Sequence, residues 1–213
     1  MTAAEYHDYL LAEAGETPLE ACIGDDETDQ ITQDWLEQAL FKLEFNFKTI
    51  GGRVIEVMSG MGRHYHLLKK KFMNIEMLDA SKEMMKANVH PVIKHECYIE
   101  HFDWRRGFYD CIVGSSSLCY LDGEVLKNLL SKMDQSLAQY GFMVFLEPID
   151  ESLGEREQQD FIYKEQRMKI RSTRFYERKF KELSMKRAKT IFYRRRADLV
   201  HDMAVFVIKE QAF

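Results

Sequence analysis

Residues 53–62 read Arg53-Val54-Ile55-Glu56-Val57-Met58-Ser59-Gly60-Met61-Gly62. An apolar, β-branched run with one embedded acid predicts a buried strand over 53–58. Ser59–Gly62 is then a tight turn, and the stretch from Arg63 to Phe72 has the pattern of a helix. Glycine tolerates positive φ and lets a ligand come close to the backbone, and the first turn of the next helix aims its free N–H groups at that turn. A second strand, Asn74–Leu78, ends at Asp79, seventeen residues after Gly62. An acid there suits two vicinal ribose hydroxyls. Ser81 is a plausible N-cap for a helix running to Asn88. The arrangement is that of a nucleoside-containing ligand at the C-terminal edge of a parallel sheet. It is a poor dinucleotide site: Gly60-Met61-Gly62-Arg63-His64-Tyr65 lacks the third glycine of G-x-G-x-x-G, and the Glu56 carboxylate would repel a pyrophosphate. A ribose-and-amino-acid ligand suits Glu56 better.

The same alternation continues downstream. Cys97–Phe102 reads as a third strand and Asp110–Gly114 as a fourth, followed by the small neutral run Ser115, Ser116, Ser117. Asp122 begins an amphipathic helix with Val125, Leu126, Leu129, Leu130, Met133 and Leu137 on one face. Gly141 opens a fifth strand, Phe142–Leu146, closed by Pro148. Upstream, Trp35, Leu36, Ala39, Leu40, Leu43 and Phe47 recur at helical spacing, ended by Gly51 and Gly52. In the tail, a polar helix over 155–183, broken near Ser172, leads to two strands, 185–193 and 203–209, joined by a loop holding Arg194, Arg195 and Arg196. Strands alternating with helices predict an α/β fold with helices on both faces of a mostly parallel sheet. The expected strand order is 3-2-1-4-5-7-6, with the seventh strand antiparallel.

At 213 residues the chain is expected to be a single domain, 1–213, with residues 1–50 an acidic helical N-terminal extension packed on a core of 51–213. Net charge is -5, but it is split: residues 1–50 carry twelve acids and two bases, and 164–213 carry fifteen bases and six acids. The balance argues against a protein that coats nucleic acid. Arg171, Arg174, Arg178, Lys179, Lys181, Lys186 and Arg187 read as a solvated face, as partners of the acidic first fifty residues, or as a surface for an acidic protein or RNA backbone. The four cysteines lack metal or redox spacing and read as buried free thiols in a reducing compartment, cytoplasmic or nuclear. No apolar run approaches the ~18 residues of a membrane span, no targeting segment is evident, and no metal site is expected.

These residues together resemble class I S-adenosylmethionine-dependent methyltransferases, whose acid-x-G-x-G-x-G loop follows the first strand. Glu56 takes the place of the acid, near the cofactor's amino group, and Gly60 and Gly62 match the last two glycines. Met58 replaces the first, which implies a narrowed pocket near the sulfonium. Asp79 matches the ribose-binding acid, and Asp79-Ala80-Ser81 with Met84 resembles the D-x-S-x-x-M pattern that follows it. His101-Phe102-Asp103-Trp104 resembles the adenine-contacting region, with Asp103 set for the exocyclic amine. Phe108 to Val113 resembles the fourth-strand motif. The resemblance spans about 35–210 and implies S-adenosylmethionine held by Glu56, Met58, Ser59, Gly60, Gly62, Asp79, Ala80, Asp103 and Gly114. His64 and His66 read as solvated or capped histidines.

Methyl transfer from a sulfonium needs alignment and exclusion of water more than covalent help; an amine acceptor must also lose a proton. The acceptor pocket is expected beyond the fourth strand, at Gly114–Tyr120. The run lacks the Asn/Asp-Pro-Pro-Tyr segment that grips a base amine, which argues against a DNA adenine methyltransferase. Within the class, the chain is similar to the group that methylates the α-amine of protein N-termini: the length, the helix before the first strand and Arg171-Ser172-x-x-Phe175 are shared. Where that group has Trp and His after the fourth strand, this chain has serines and Tyr120. In place of an Asp-Asn pair stands Glu147-Pro148-Ile149-Asp150. Glu147 and Asp150 are candidates to hold and deprotonate an amine of a protein or peptide, with Tyr120 ordering the acceptor. A small-molecule or RNA acceptor stays open, as does a non-catalytic scaffold or activator of a partner.

Overall fold

The computed structural model describes residues 33–42, 52–163, 166–183, 187–193 and 202–209. The last part of the expected helix, Leu43–Phe47, and the Arg194–Arg196 loop lie outside them, as does most of the acidic N-terminal segment. Five helical segments are described: α1 (residues 33–42, closing in a π turn at Gln38–Lys42), α2 (Tyr65–Lys69), α3 (Lys82–Ala87), α4 (Gly123–Ser136) and α5 (Thr173–Lys181). Nine strands form one sheet: β1 (Arg53–Val57), β2 (Asn74–Asp79), β3 (Ile93–Glu96), β4 (Tyr109–Ser115), β5 (Leu137–Ile149), β6 (Gln158–Tyr163), β7 (Gln166–Arg171), β8 (Arg187–Tyr193) and β9 (Asp202–Lys209).

β3, β2, β1, β4 and β5 pair in that order and in parallel. β9 then runs antiparallel along β5, from Phe142↔Lys209 to Ile149↔Asp202, and β8 pairs antiparallel with β9. Without β6 and β7, this is the expected order 3-2-1-4-5-7-6. β6 and β7 are an added hairpin, tied to β5 through Ile149↔Arg171.

Side chains alternate across the sheet with period two. Ile55, Val57, Ile112, Met143, Phe145 and Phe206 face α4 and α5, meeting Leu126, Leu129, Leu130, Met133, Tyr176 and Phe180. Val54, Met77, Val113, Val144 and Val207 face the other way, onto Leu36, Ala39 and Leu40 of α1 and Leu67 and Leu68 of α2. Helices therefore cover both faces. Cys111 and Cys119 are buried free thiols and Cys97 is half-buried. No helix among the described residues is long and apolar enough to cross a membrane, and they contain no group of side chains arranged for a metal.

Three expectations are corrected. The third strand is Ile93–Glu96 and not Cys97–Phe102, which instead contains a 3-10 turn, Ile99–His101. This strand lies at the sheet edge, so its side chains are mostly exposed and its sequence carries little apolar signal. The fifth strand starts early, at Leu137, and runs through Pro148 to Ile149. The polar helix over 155–183 is a hairpin followed by a nine-residue helix. Gln158–Tyr163 pairs with Gln166–Arg171 through alternating charges, Asp160 binding Arg167 and Lys169. Its buried apolar residues, Met168 and Ile170 with Phe161 beside them, are too few among the charges to mark strands in the sequence. Ser172 is the N-cap of α5, its hydroxyl accepting from Phe175 N at 3.3 Å.

Candidate functional site

The direction of winding reverses between β1 and β4, and a crevice at such a point, beyond the carboxyl ends of the strands, is where open α/β sheets bind ligands. Two loops flank it: the β1 turn, 58–64, and the β4 loop, 115–121. Each contains a non-glycine residue in the left-handed region, Met58 (φ 51°) and Ser116 (φ 49°). That conformation costs a non-glycine residue roughly 1–2 kcal/mol. Gly60 (φ 54°) and Gly62 (φ 80°) complete the first turn. A Cβ at Gly62 would come within 2.7 Å of Asn88 Nδ2 and Met77 Sδ, so the glycine is required by space as well as by φ.

Asp79 ties this turn to the end of β2. Its Oδ2 accepts from Gly60 N at 2.8 Å and its Oδ1 from Ser81 N at 2.8 Å. Ser59 N donates to Leu78 O and Gly62 N to Ser59 O. Ser81 in turn caps α3, accepting from Met84 N. Below the turn, Glu56 and His64 are buried, 2% and 1% exposed, with Oε1 and Nδ1 2.5 Å apart. Glu56 Oε2, Ser59 Oγ and His64 Nε2 are buried and make no hydrogen bond. Arg63, the residue between, reaches across the crevice, its Nη2 donating to Ser115 Oγ at 3.0 Å.

The opposite loop is built differently. Glu147, fully buried on β5, accepts from Ser117 N (3.0 Å), Leu118 N (2.9 Å), Cys119 N (3.1 Å) and Ser117 Oγ (3.2 Å). It caps the 3-10 turn Leu118–Tyr120. Burial pushes its carboxyl up to about 7, against the pull of these four donors. Arg171, also fully buried, closes the other end of the turn, donating to Leu118 O and Leu121 O and to Gln158 Oε1 at the base of the hairpin. Its guanidinium lies 5.0 Å from the Phe175 ring centre.

No protein-family model matches the chain, and no curated sequence does. Solved structures do. A SAM-dependent methyltransferase from Leishmania major superposes with a TM-score of 0.80 at 20% identity, covering 97% of this chain and 81% of that one. The N-methyltransferase NodS from Bradyrhizobium japonicum, solved with S-adenosylhomocysteine, gives 0.70 at 12% identity over the whole of both chains. Phosphoethanolamine N-methyltransferase 1 from Haemonchus contortus gives 0.70 at 12%, covering 99% of this chain and 49% of that one. The fold is that of the class I S-adenosylmethionine-dependent methyltransferases.

In this methyltransferase fold the β1 turn brings Glu56, Met58, Ser59, Gly60, Gly62, Asp79 and Ala80 together. Asp103 is elsewhere. It is exposed and lines an open groove with Arg106, Lys132 and Gln135 beside the later turns of α4. The stretch next to Asp79 is the one that begins at Cys97, whose N–H donates to Asp79 O at 3.0 Å. The shift follows from the misread third strand. Gly114 lies beside Val57 near the end of β4, but its lack of a side chain serves the protein itself: a Cβ would meet Ser117 Oγ at 2.3 Å and Phe145 at 2.9 Å. Met58 is half-buried and packs on the α4-side core.

The three residues expected to act on the acceptor sit in different local settings. Glu147 is turned under the 118–120 turn and is occupied by backbone N–H groups. Asp150 makes a local turn, Oδ1 accepting from Ser152 N at 2.8 Å. Tyr120 is half-buried against Cys119, Met168 and Ile170, on the hairpin side. His64 is buried and paired, not solvated, and Arg171 is not part of a solvated face. His64 and Arg63 are what sequence reasoning missed. The usable signal was their position, directly after Gly62, where the chain turns back under the strand carrying Glu56.

Proposed function

We propose that this chain is a methyltransferase that binds S-adenosylmethionine at the β1 turn and methylates an amine of a protein or peptide. The observation that carries the reading is the set of buried polar atoms without partners, Glu56 Oε2 and Ser59 Oγ, beside Asp79 at the reversal point of the sheet. Buried polar atoms are nearly always paired in folded proteins, so unpartnered ones in a crevice fit a polar ligand. The residues present suit this cofactor. The Asp79 carboxylate, at the end of β2, is an acceptor suited to ribose hydroxyls. Glu56 would face the ammonium of the amino-acid end. Arg63, a cation whose guanidinium reaches Ser115, would face its carboxylate. Met58 and the stretch from Cys97 would border the sulfur and the base. When bound, the sulfonium supplies the methyl group; the chain's part is to align the acceptor and keep water out.

For the acceptor, Ser115, Ser116 and Tyr120 border the expected opening, and half-buried Asp150 supplies a negative charge near it, which favours an amine. Glu147 is better understood as the support of the loop than as a base. Its engagement also favours a second reading, a methyltransferase fold that scaffolds or activates a partner. Incubation with tritiated S-adenosylmethionine and fractionated lysate separates the two. Label in protein that falls in D150A supports amine methylation. Label confined to RNA or small molecules replaces the acceptor class. Cofactor binding with no transfer, repeated with candidate partner subunits present, favours the scaffold.

A further inference from the structure

Glu56 Oε2, Ser59 Oγ and His64 Nε2, all within nine residues, are buried and make no hydrogen bond, on residues 2%, 5% and 1% exposed. Leaving such groups unsatisfied is costly, about 1–3 kcal/mol each, and their concentration at one turn points to one ligand. Glu56 and His64 fix each other: Nδ1–H donates to Oε1 at 2.5 Å, which sets the ring so that only Nε2 remains for another partner. Ser59 Oγ is a hydroxyl and can donate.

We propose that His64 is a second ligand-binding residue of this turn, its Nε2–H donating to the carboxylate at the amino-acid end of the cofactor while Glu56 Oε2 receives the ammonium. The inference rests on the cofactor reading above. In this proposal both ring nitrogens donate, Nδ1 to Glu56 and Nε2 to the ligand. The Glu56–His64 pair then lies against the ammonium and carboxylate of the ligand with opposite charges facing, and Arg63 adds a further cation at the carboxylate end. Ser59 Oγ–H provides the second donor to the ligand carboxylate. A neutral hydrophobic residue at 64 would leave the Glu56 charge unbalanced and the ligand carboxylate short of a donor.

The test uses two probes, S-adenosylhomocysteine and 5′-methylthioadenosine, which share the adenosine and sulfur but differ in the amino-acid end. Calorimetry on the wild type, H64N and H64Q reads the difference. The amide of H64N can still donate to Glu56 but cannot reach as Nε2 does, whereas that of H64Q can. H64N is expected to lose affinity for S-adenosylhomocysteine by about 10- to 100-fold, the worth of one charge-assisted hydrogen bond, with methylthioadenosine affinity unchanged and H64Q partly restored. Equal losses for both probes, or loss of all binding in both variants, would assign His64 to the fold and overturn the proposal. An unchanged S-adenosylhomocysteine affinity in H64N would overturn it as well. A wild type that binds neither probe would instead remove the cofactor reading itself.

Discussion

Glu56 on β1 and Glu147 on β5 are both buried glutamates near the carboxyl ends of parallel strands that flank β4, on either side of the crevice, yet they are built for opposite purposes. Glu147 has every donor it needs: three backbone N–H groups and a serine hydroxyl. Glu56 has one partner, His64, and a second oxygen with none. Burial alone does not distinguish a structural acid from a functional one. What distinguishes them is whether the protein completes their hydrogen bonding. By that criterion the β1 turn is prepared for a ligand, and the β4 loop is a finished piece of structure.

The largest effect is expected from E147A. It would leave three N–H groups of the 118–120 turn buried without an acceptor and open a void, destabilising the protein by about 3–5 kcal/mol. Urea unfolding against wild type reads this directly. Stability within 1 kcal/mol of wild type would erase the contrast between the two acids.

Proton linkage sharpens the same contrast. The Glu147 carboxyl sits at about 7 in the folded chain, against 4.5 for an ordinary glutamate. A raised acid keeps its proton in the native state over a range where the unfolded chain has lost it. Its stabilising contribution is therefore fully present below about 4.5 and is lost as pH rises to 7, by about 3 kcal/mol at about 1.4 kcal/mol per pH unit. The stability difference between wild type and E147Q should fall across that window. A flat difference would mean that the four donors hold the carboxylate ionised throughout.

On the other side of the crevice, D79A should weaken S-adenosylhomocysteine binding by about 1.5–3 kcal/mol through loss of charge-assisted contacts. It also frees Gly60 N and Ser81 N, so the turn loosens. Unchanged affinity by calorimetry would remove the ribose assignment. The smallest effect belongs to M58G. Relief of positive φ, roughly 1 kcal/mol, is offset by lost packing of a half-buried side chain. Stability should move by no more than about 1 kcal/mol, and cofactor affinity should hold or improve. A tenfold loss of affinity with the fold retained would show that Met58 supplies contacts.

The parts of the molecule legible in sequence are those where the physics is local. β1, its turn and β2 follow from an apolar run, glycines and a terminal acid within 27 residues. Even the departure at Met58 was readable, since the backbone keeps the glycine-like conformation there at some cost in strain. The order of the parallel strands followed from alternation. What failed depended on partners far along the chain. Glu147 looked like a cleft acid because its donors lie 28–30 residues away. Arg171 looked like one base in a basic tail because the carbonyls that hold it are 50 and 53 residues upstream. The hairpin was taken for helix because charges dominate it and its buried face shows only Met168, Ile170 and Phe161, which pack on Cys119 about fifty residues upstream.

β9 carries a consequence for how this chain comes off the ribosome. Its residues Asp202–Lys209 complete β5 through eight register pairs from Phe142 to Ile149. Until those last residues have been synthesised, β5 presents an open edge containing Phe142-Met143-Val144-Phe145-Leu146, apolar and rich in strand-forming residues. At an elongation rate of about 5–20 residues per second, the roughly fifty-residue delay leaves that edge exposed for seconds. The nascent chain is then a natural client for holding chaperones, and a stop codon between Ile149 and Asp202 is expected to yield an aggregation-prone product even though every residue of the β1 turn is present.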